Sequence, residues 1–312
     1  MKFFHQKYYG YLFFLLAICL LIPGCSPEKE YRFTFNRKDG ETYIQRLSIS
    51  RERHTGPANI QMDDTLSVTR VTCKKTGEGW DIDSRPVSRV MMKNGKEVNN
   101  PLLALLPEFV ITYKLDKDGA LKDIIGYEKM AEAFKSRYQD RMPEGLSSML
   151  DIDAIKKREF AEWNGRIGNF LNKEFSIGDV WESETHFTLP NGTELAYKVK
   201  TRFKEQVRHK NIRCVLIEQT YDSTGEGIAG LVNDITESVS TDTDKKQGTM
   251  PKVSSSGSSI KGKMTRIIDP STMNIYKEDA ERTIIMQIDL PGAGSVPVKM
   301  IETRSYEYEY GN

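Results

Sequence analysis

The stretch "WESETHF", residues 181–187, sets Glu182, Glu184 and His186 two apart, and their side chains are all ligands that a divalent cation accepts. On a strand they share one face but stand about 7 Å apart, each residue rising roughly 3.3 Å. Ligand bonds are near ~2 Å, so three successive same-face residues do not converge on one ion. A solvated strand face is the expectation. In "DKDGALKDI", residues 116–124, Asp116, Asp118 and Gly119 imitate part of a calcium loop. The full loop needs an oxygen ligand at 114 and a Glu at 125, where Lys114 and Ile125 stand. That stretch reads as a turn, and no metal site is expected.

Nucleophilic catalysis finds no footing either. From Cys25 onward the histidines are His54, His186 and His209, each among charged or polar neighbours. There is no Gly-x-Ser-x-Gly elbow and no cysteine in a reactive setting beside a histidine. The glycines near 225–230 lack the lysine and the strand-then-helix context of a phosphate loop. No catalytic residue and no cofactor are expected, and the chain reads as non-enzymatic. Paired carboxylates leave no signature, so an envelope hydrolase stays as a third reading.

Two ladders suggest binding instead. In "AYKVKTRFK", residues 196–204, Lys198, Lys200, Arg202 and Lys204 oppose Leu195, Tyr197, Val199 and Phe203. Such a basic row suits anionic headgroups, at about 1 kcal/mol per cation near a charged surface. The alternative is a solvated face paired with Glu182 and Glu184 on a neighbouring strand. The last strand sets Val296, Val298, Met300, Tyr306, Tyr308 and Tyr310 against Lys299, Glu307 and Glu309. Tyrosine rings have apolar bodies and wet tips, so the ladder suits a groove for an amphipathic ligand, or an ordinary inner sheet face.

The elements that position these residues are mostly strands of period two. "YRFTFNR" puts Tyr31, Phe33 and Phe35 on one face, and "KDGE", residues 38–41, reads as a hairpin turn into "TYIQRLSISRE". Further strands are expected at 65–75, 79–92, 108–116, 120–126, 180–189, 193–207, 211–222, 260–269, 273–290 and 295–310. Short turns between successive strands argue for an antiparallel meander, because parallel pairs need long crossovers. Between residues 127 and 175 the period turns helical, with Met130, Phe134, Tyr138 and Met142 four apart. Pro143 and Gly145 interrupt it, and Ile152, Phe160, Trp163, Ile167 and Phe170 continue near one face. Two amphipathic helices, 127–142 and 146–172, are therefore expected to cover one face of the sheet. Residues 223–259, rich in Ser, Thr, Asp and Gly, read as a flexible loop, with a short helix at 231–235.

The chain opens with Lys2 and Lys7 and an uncharged run from Leu12 to Ile22, too short for a span of about 20 residues. It ends in Ile22-Pro23-Gly24-Cys25, which resembles the lipobox of bacterial lipoproteins. That resemblance implies a signal peptide over 1–24, diacylglycerol and palmitate on Cys25, and a five-residue tether before one β-rich domain, 31–312. Ser26 in place of Asp points to the outer membrane facing the periplasm. The leader holds two of the 45 basic residues and none of the 44 acidic ones. The chain from Cys25 onward is therefore 43 to 44 and near neutral, and it lacks the basic excess of a nucleic-acid binder. Cys73 and Cys214 remain in an oxidising compartment, where a bridge is expected, buried free thiols being the alternative.

Tyr31, Phe33, Gly40, Glu41 and Tyr43 form a "Y-x-F…G-E-x-Y" pattern, and Gly178, Asp179 and Trp181 a "G-D-x-W" pattern. On these the chain resembles uncharacterised bacterial envelope lipoproteins. The long sheet with interposed helices is more distantly similar to the half-barrel of periplasmic lipoprotein carriers and lipid-binding lipoproteins. The expected fold is α+β, an antiparallel meander or half-barrel of about 10–12 strands with two helices inserted mid-chain. That resemblance implies a cavity for acyl chains beneath a helical lid. Met130, Phe134, Tyr138, Trp163, Tyr306 and Tyr308 are its candidate lining. The expected function is a membrane-anchored, non-catalytic binding module for a lipid or other amphipathic envelope ligand. The alternative is an envelope scaffold that holds a protein partner without a ligand cavity.

Overall fold

The period-two pattern becomes a sheet whose strands run from two to 18 residues. The structure, a computed structural model, describes residues 30–55, 59–98, 103–138, 151–188, 194–224, 252–290 and 294–311. Two meanders build it. The first comprises β2 (Thr42–Thr55), β3 (Asn59–Lys75), β4 (Gly79–Lys93), β5 (Lys96–Glu97), β6 (Ile111–Asp116) and β7 (Leu121–Ile125). The second comprises β9 (Val180–Thr188), β10 (Glu194–His209), β11 (Ile212–Thr224), β12 (Lys252–Asp269), β13 (Asn274–Leu290) and β14 (Gly294–Tyr310). They join where β2 pairs antiparallel with β14, from Tyr43 opposite Tyr310 to Thr55 opposite Val298. The result is a 12-stranded sheet in the order β7-β6-β4-β3-β2-β14-β13-β12-β11-β10-β9, with β5 added at β4. The α+β meander with two mid-chain helices is therefore the fold observed.

Helices α1 (Tyr127–Tyr138) and α2 (Ile152–Trp163) leave β7 at one edge of the sheet and return to β9 at the other. Asp151 caps α2 through its side chain, which accepts from the backbone N–H groups of Asp153 and Ala154. A wider turn over Asn164–Gly168 extends the helix and brings Arg166 and Ile167 onto the sheet. There Phe33, Phe170, Phe175, Trp181 and Phe203 pack as a dense ring cluster, with Phe175 stacked 4.4 Å from Phe203 and 4.7 Å from Trp181. The apolar space expected for acyl chains is filled at this end. Large rings at close density leave no room for a chain to enter.

Several boundaries differ from the sequence reading. The arm at Tyr31 forms only a short strand, β1 (Glu30–Arg32), paired with β8 (Glu174–Ser176) rather than with β2. Both sides of β2 are taken by β3 and β14, so the 38–41 turn delivers the chain without making a hairpin. The alternation within the arm still holds: Tyr31, Phe33 and Phe35 are all buried. β12 begins at Lys252, inside the stretch read as loop. The leader, Cys25, the centre of that loop with the helix expected at 231–235, and residues 139–150 lie outside the described residues.

Candidate functional site

Side chains on successive residues of a strand alternate faces, so the cross-strand registers define one inner face turned toward α2. Tyr43, Gln45 and Leu47 of β2 sit opposite Tyr310, Tyr308 and Tyr306 of β14 on that face. Val71 and Thr69 of β3 continue the rows, then Ser84 of β4 opposite Val71. From above, α2 presents Glu159, Glu162 and Trp163, one helical turn or less apart, followed by Arg166. Between them lies a cleft of about 260 Å³, also lined by Arg37, Tyr113 and Ile275. This is just under the roughly 300–1,000 Å³ usual for small-molecule sites.

The wall is aromatic, with charges behind it. Trp163 stacks on Tyr113 at 6.1 Å between centroids, and Tyr43 lies 4.8 Å from Tyr310. The Arg166 guanidinium sits over the Tyr306 ring at 4.4 Å and donates to the Tyr308 hydroxyl. Arg37 lies between the Tyr43 and Tyr310 rings, 5.7 and 5.6 Å from their centroids. Burial pushes the Tyr43 phenol up to about 12 and raises those of Tyr308 and Tyr310 as well. All three remain neutral hydrogen-bonding groups at physiological pH.

Two carboxylates of this region have opposite fates. Glu159 accepts from the Tyr113 hydroxyl at 2.8 Å, and burial, reinforced by nearby Glu162, raises its carboxyl above the ordinary range. Behind the cleft Glu278 is held between Arg266, 2.6 Å away, and Arg166, 3.1 Å away. Burial works to raise Glu278, but the two guanidiniums override it and hold the carboxyl below the ordinary range. Two donors on lining residues, Trp163 Nε1 and Arg37 Nε, are buried with no hydrogen-bond partner among the described residues. Leaving a buried N–H unpaired costs about 1–3 kcal/mol.

The structure separates the predicted site residues. Trp163, Tyr306 and Tyr308 line the cleft together. Met130 and Phe134 do not: they pack with Ala131, Leu106, Phe109 and Ile152 in a separate small core. Their face of α1 covers the turn before β6, and Phe134 meets Phe109 edge-on at 6.1 Å. The Tyr138 side chain lies outside the described residues. Cys73 and Cys214 are both buried free thiols, so the expected bridge is corrected to its alternative. They sit on β3 and β11, with β2, β14, β13 and β12 between those strands in the sheet.

The basic ladder lies on the outer face. Lys198 opposes Glu184 and Asp222, while Lys200 and Lys204 approach Glu182 at 3.9 Å and Glu218 at 3.6 Å. Arg202 opposes Glu218 as well. Two of these acids, Glu218 and Asp222, also meet Lys263 and Lys261 on β12. The residues that sequence reasoning missed are Arg37, Tyr43, Tyr113, Glu159 and Arg166. The helical spacing that singled out Trp163 also carries Glu159 four residues before it, and that was the available signal.

No family model matches the chain, and no curated protein does. Among solved structures, a lipovitellin structure described for its lipid–protein interactions aligns at a TM-score of 0.45 and 10% identity. It covers 88% of this chain, which spans only 25% of that protein's length. A Bacteroides fragilis protein with a YmcC-like fold aligns at a TM-score of 0.24 and 10% identity, over 86% of this chain and 97% of that one. A LolA superfamily protein from Nitrosomonas europaea aligns at 0.15 and 9% identity, over 89% of each. At such TM-scores none of the three bears on what this chain binds.

Proposed function

We propose that this protein is a membrane-anchored, non-catalytic binding module whose cleft holds a small amphipathic ligand. The observation that carries the reading is the tyrosine-walled cleft between helix and sheet, with the guanidiniums of Arg37 and Arg166 set among its rings. Rings with wet edges beside guanidiniums suit a ligand with an apolar body and an acceptor oxygen. The modest volume and the filled ring cluster beside it favour a small ligand, or the polar end of a larger one, over enclosed acyl chains. The sequence Ile22-Pro23-Gly24-Cys25 supports a lipid anchor on Cys25 and placement in the bacterial envelope. In this reading Glu159 and Glu162 are wall groups of the cleft.

The test is ligand retention. The full chain, extracted from its own membrane in mild detergent, should carry a non-protein mass in native mass spectrometry. The protein mass alone, across several mild detergents, would overturn the reading.

A further inference from the structure

Beyond the cleft the inner face changes character. Glu302 on β14 is almost fully buried and accepts from three guanidiniums: Arg51 Nε at 2.5 Å, Arg304 Nε at 2.7 Å and Arg282 Nη2 at 2.8 Å. These residues come from adjacent strands, because Arg282 opposes Glu302 across β13 and β14, and Arg51 opposes it across β14 and β2. The next acid along the row, Asp63, faces Arg51 on one side and Lys93 on the other. Lys93 therefore offsets Asp63, and among the described residues Arg51 and Arg304 stand beside one buried carboxylate. The Arg51 and Arg304 side chains stay 40% and 33% exposed, so part of each planar fork faces solvent.

An apolar strip adjoins the cluster. Ile284 is two residues from Arg282 on the same strand and face, about 7 Å away, and packs with Ile260, Tyr221 and Met286. The Tyr221 ring lies directly on Gly262, where a Cβ would meet it at 2.0 Å, so only glycine lets that ring lie flat across the sheet. Partly exposed guanidinium forks beside an apolar strip are complementary to a molecule with an anionic head and a short apolar tail. Arginine forks pair with phosphate oxygens two at a time, which a lysine row cannot reproduce.

We infer that Arg51 and Arg304, organised by Glu302, receive the phosphate headgroup of an anionic amphiphile whose tail lies on the Ile260–Ile284 strip. This goes beyond the cleft reading, since it assigns a second site on the same face with its own ligand class.

The experiment is calorimetric titration of the full chain with dihexanoyl phosphatidylglycerol, dihexanoyl phosphatidylcholine and inorganic phosphate. Phosphatidylglycerol should bind about tenfold or more tightly than phosphatidylcholine, and inorganic phosphate more weakly than either. Arg51→Gln and Arg304→Gln should each erase most of that preference, while Arg304→Lys should retain part of it. Glu302→Gln, which releases the forks from their carboxylate, should strengthen phosphatidylglycerol binding. Equal affinity for the two lipids would overturn the anion assignment and leave the cleft reading intact. Inorganic phosphate binding as tightly as phosphatidylglycerol would overturn the amphiphile. Binding of neither lipid would overturn the inference, while the cleft reading would still be judged by the retained mass.

Discussion

Arg266 Nε lies 2.6 Å from Glu278 Oε2, and the same guanidinium donates to the backbone carbonyl of Arg166 at 3.0 Å. Arg266 is 1% exposed. A single side chain thus ties β12 and β13 to the segment that forms the roof of the cleft. Breaking a buried pair by removing one partner leaves an uncompensated charge and costs about 3–5 kcal/mol. Glu278 would keep Arg166, so Arg266→Met should cost about 3 kcal/mol, at the low end of that range. Urea unfolding followed by circular dichroism measures it. A loss under about 1 kcal/mol would mean that the tie carries no structural weight.

Trp163→Phe separates stability from binding. Phe keeps the ring that stacks on Tyr113 but removes the buried unpaired N–H. The variant should be as stable as the parent, or up to about 1 kcal/mol more so, since an unsatisfied donor is gone. Its ligand occupancy should fall. Thermal unfolding and native mass spectrometry on the same samples read both quantities. Unchanged occupancy would remove Trp163 from the site.

Opposite carboxylate shifts give opposite responses to pH. Burial raises Glu159, so its ionised form destabilises the fold, and that cost appears as pH rises through the raised folded value. Glu159→Gln should therefore raise the melting temperature at neutral pH, with the gain vanishing below about pH 4.3, where Glu is protonated even when unfolded. Glu302 is also pushed up by burial, but Arg282, Arg304 and Arg51 override it and hold it low. Its stabilisation is present above about pH 4.3 and is lost as pH falls through the lowered folded value. Glu302→Gln should flatten the acid limb of the melting curve. A melting profile from pH 3 to 8, about the range in which carboxylates titrate, reads both signs.

The two thiols should be silent until the protein unfolds. Burial pushes Cys73 and Cys214 each up to about 11, which keeps them protonated and poorly nucleophilic. A thiol reagent should label neither in the native protein and both in urea. A reductant should leave the melting temperature unchanged. A reductant-dependent drop would show a bridge that this structure lacks.

Strand faces were legible in the sequence wherever alternation was unbroken. Tyr306, Tyr308 and Trp163 could be picked out because large rings at regular spacing on otherwise polar elements must be placed somewhere. Arg166, Arg266 and Glu278 could not. Each is an isolated charge that locally reads as solvated, and only the antiparallel register of β12 with β13, and the turn after α2, brings them together. Met130 and Phe134 show the converse limit. Their spacing correctly marked an apolar helix face, but not which of two cores it would meet. The pairing of β2 with β14 joins strands about 250 residues apart, and no local pattern announces such a contact.

The most direct measurement fills the cleft. Ser84 is a small side chain on its sheet wall, so Ser84→Leu adds apolar volume there without removing any partner named above. Native mass spectrometry of parent and variant, each extracted as the full chain from its own membrane, compares their bound mass. The parent should carry a non-protein mass that the variant has lost, while the variant melts at the same or a higher temperature. A parent without bound mass, or a stable Ser84→Leu variant that keeps it in full, would contradict the cleft as the binding site.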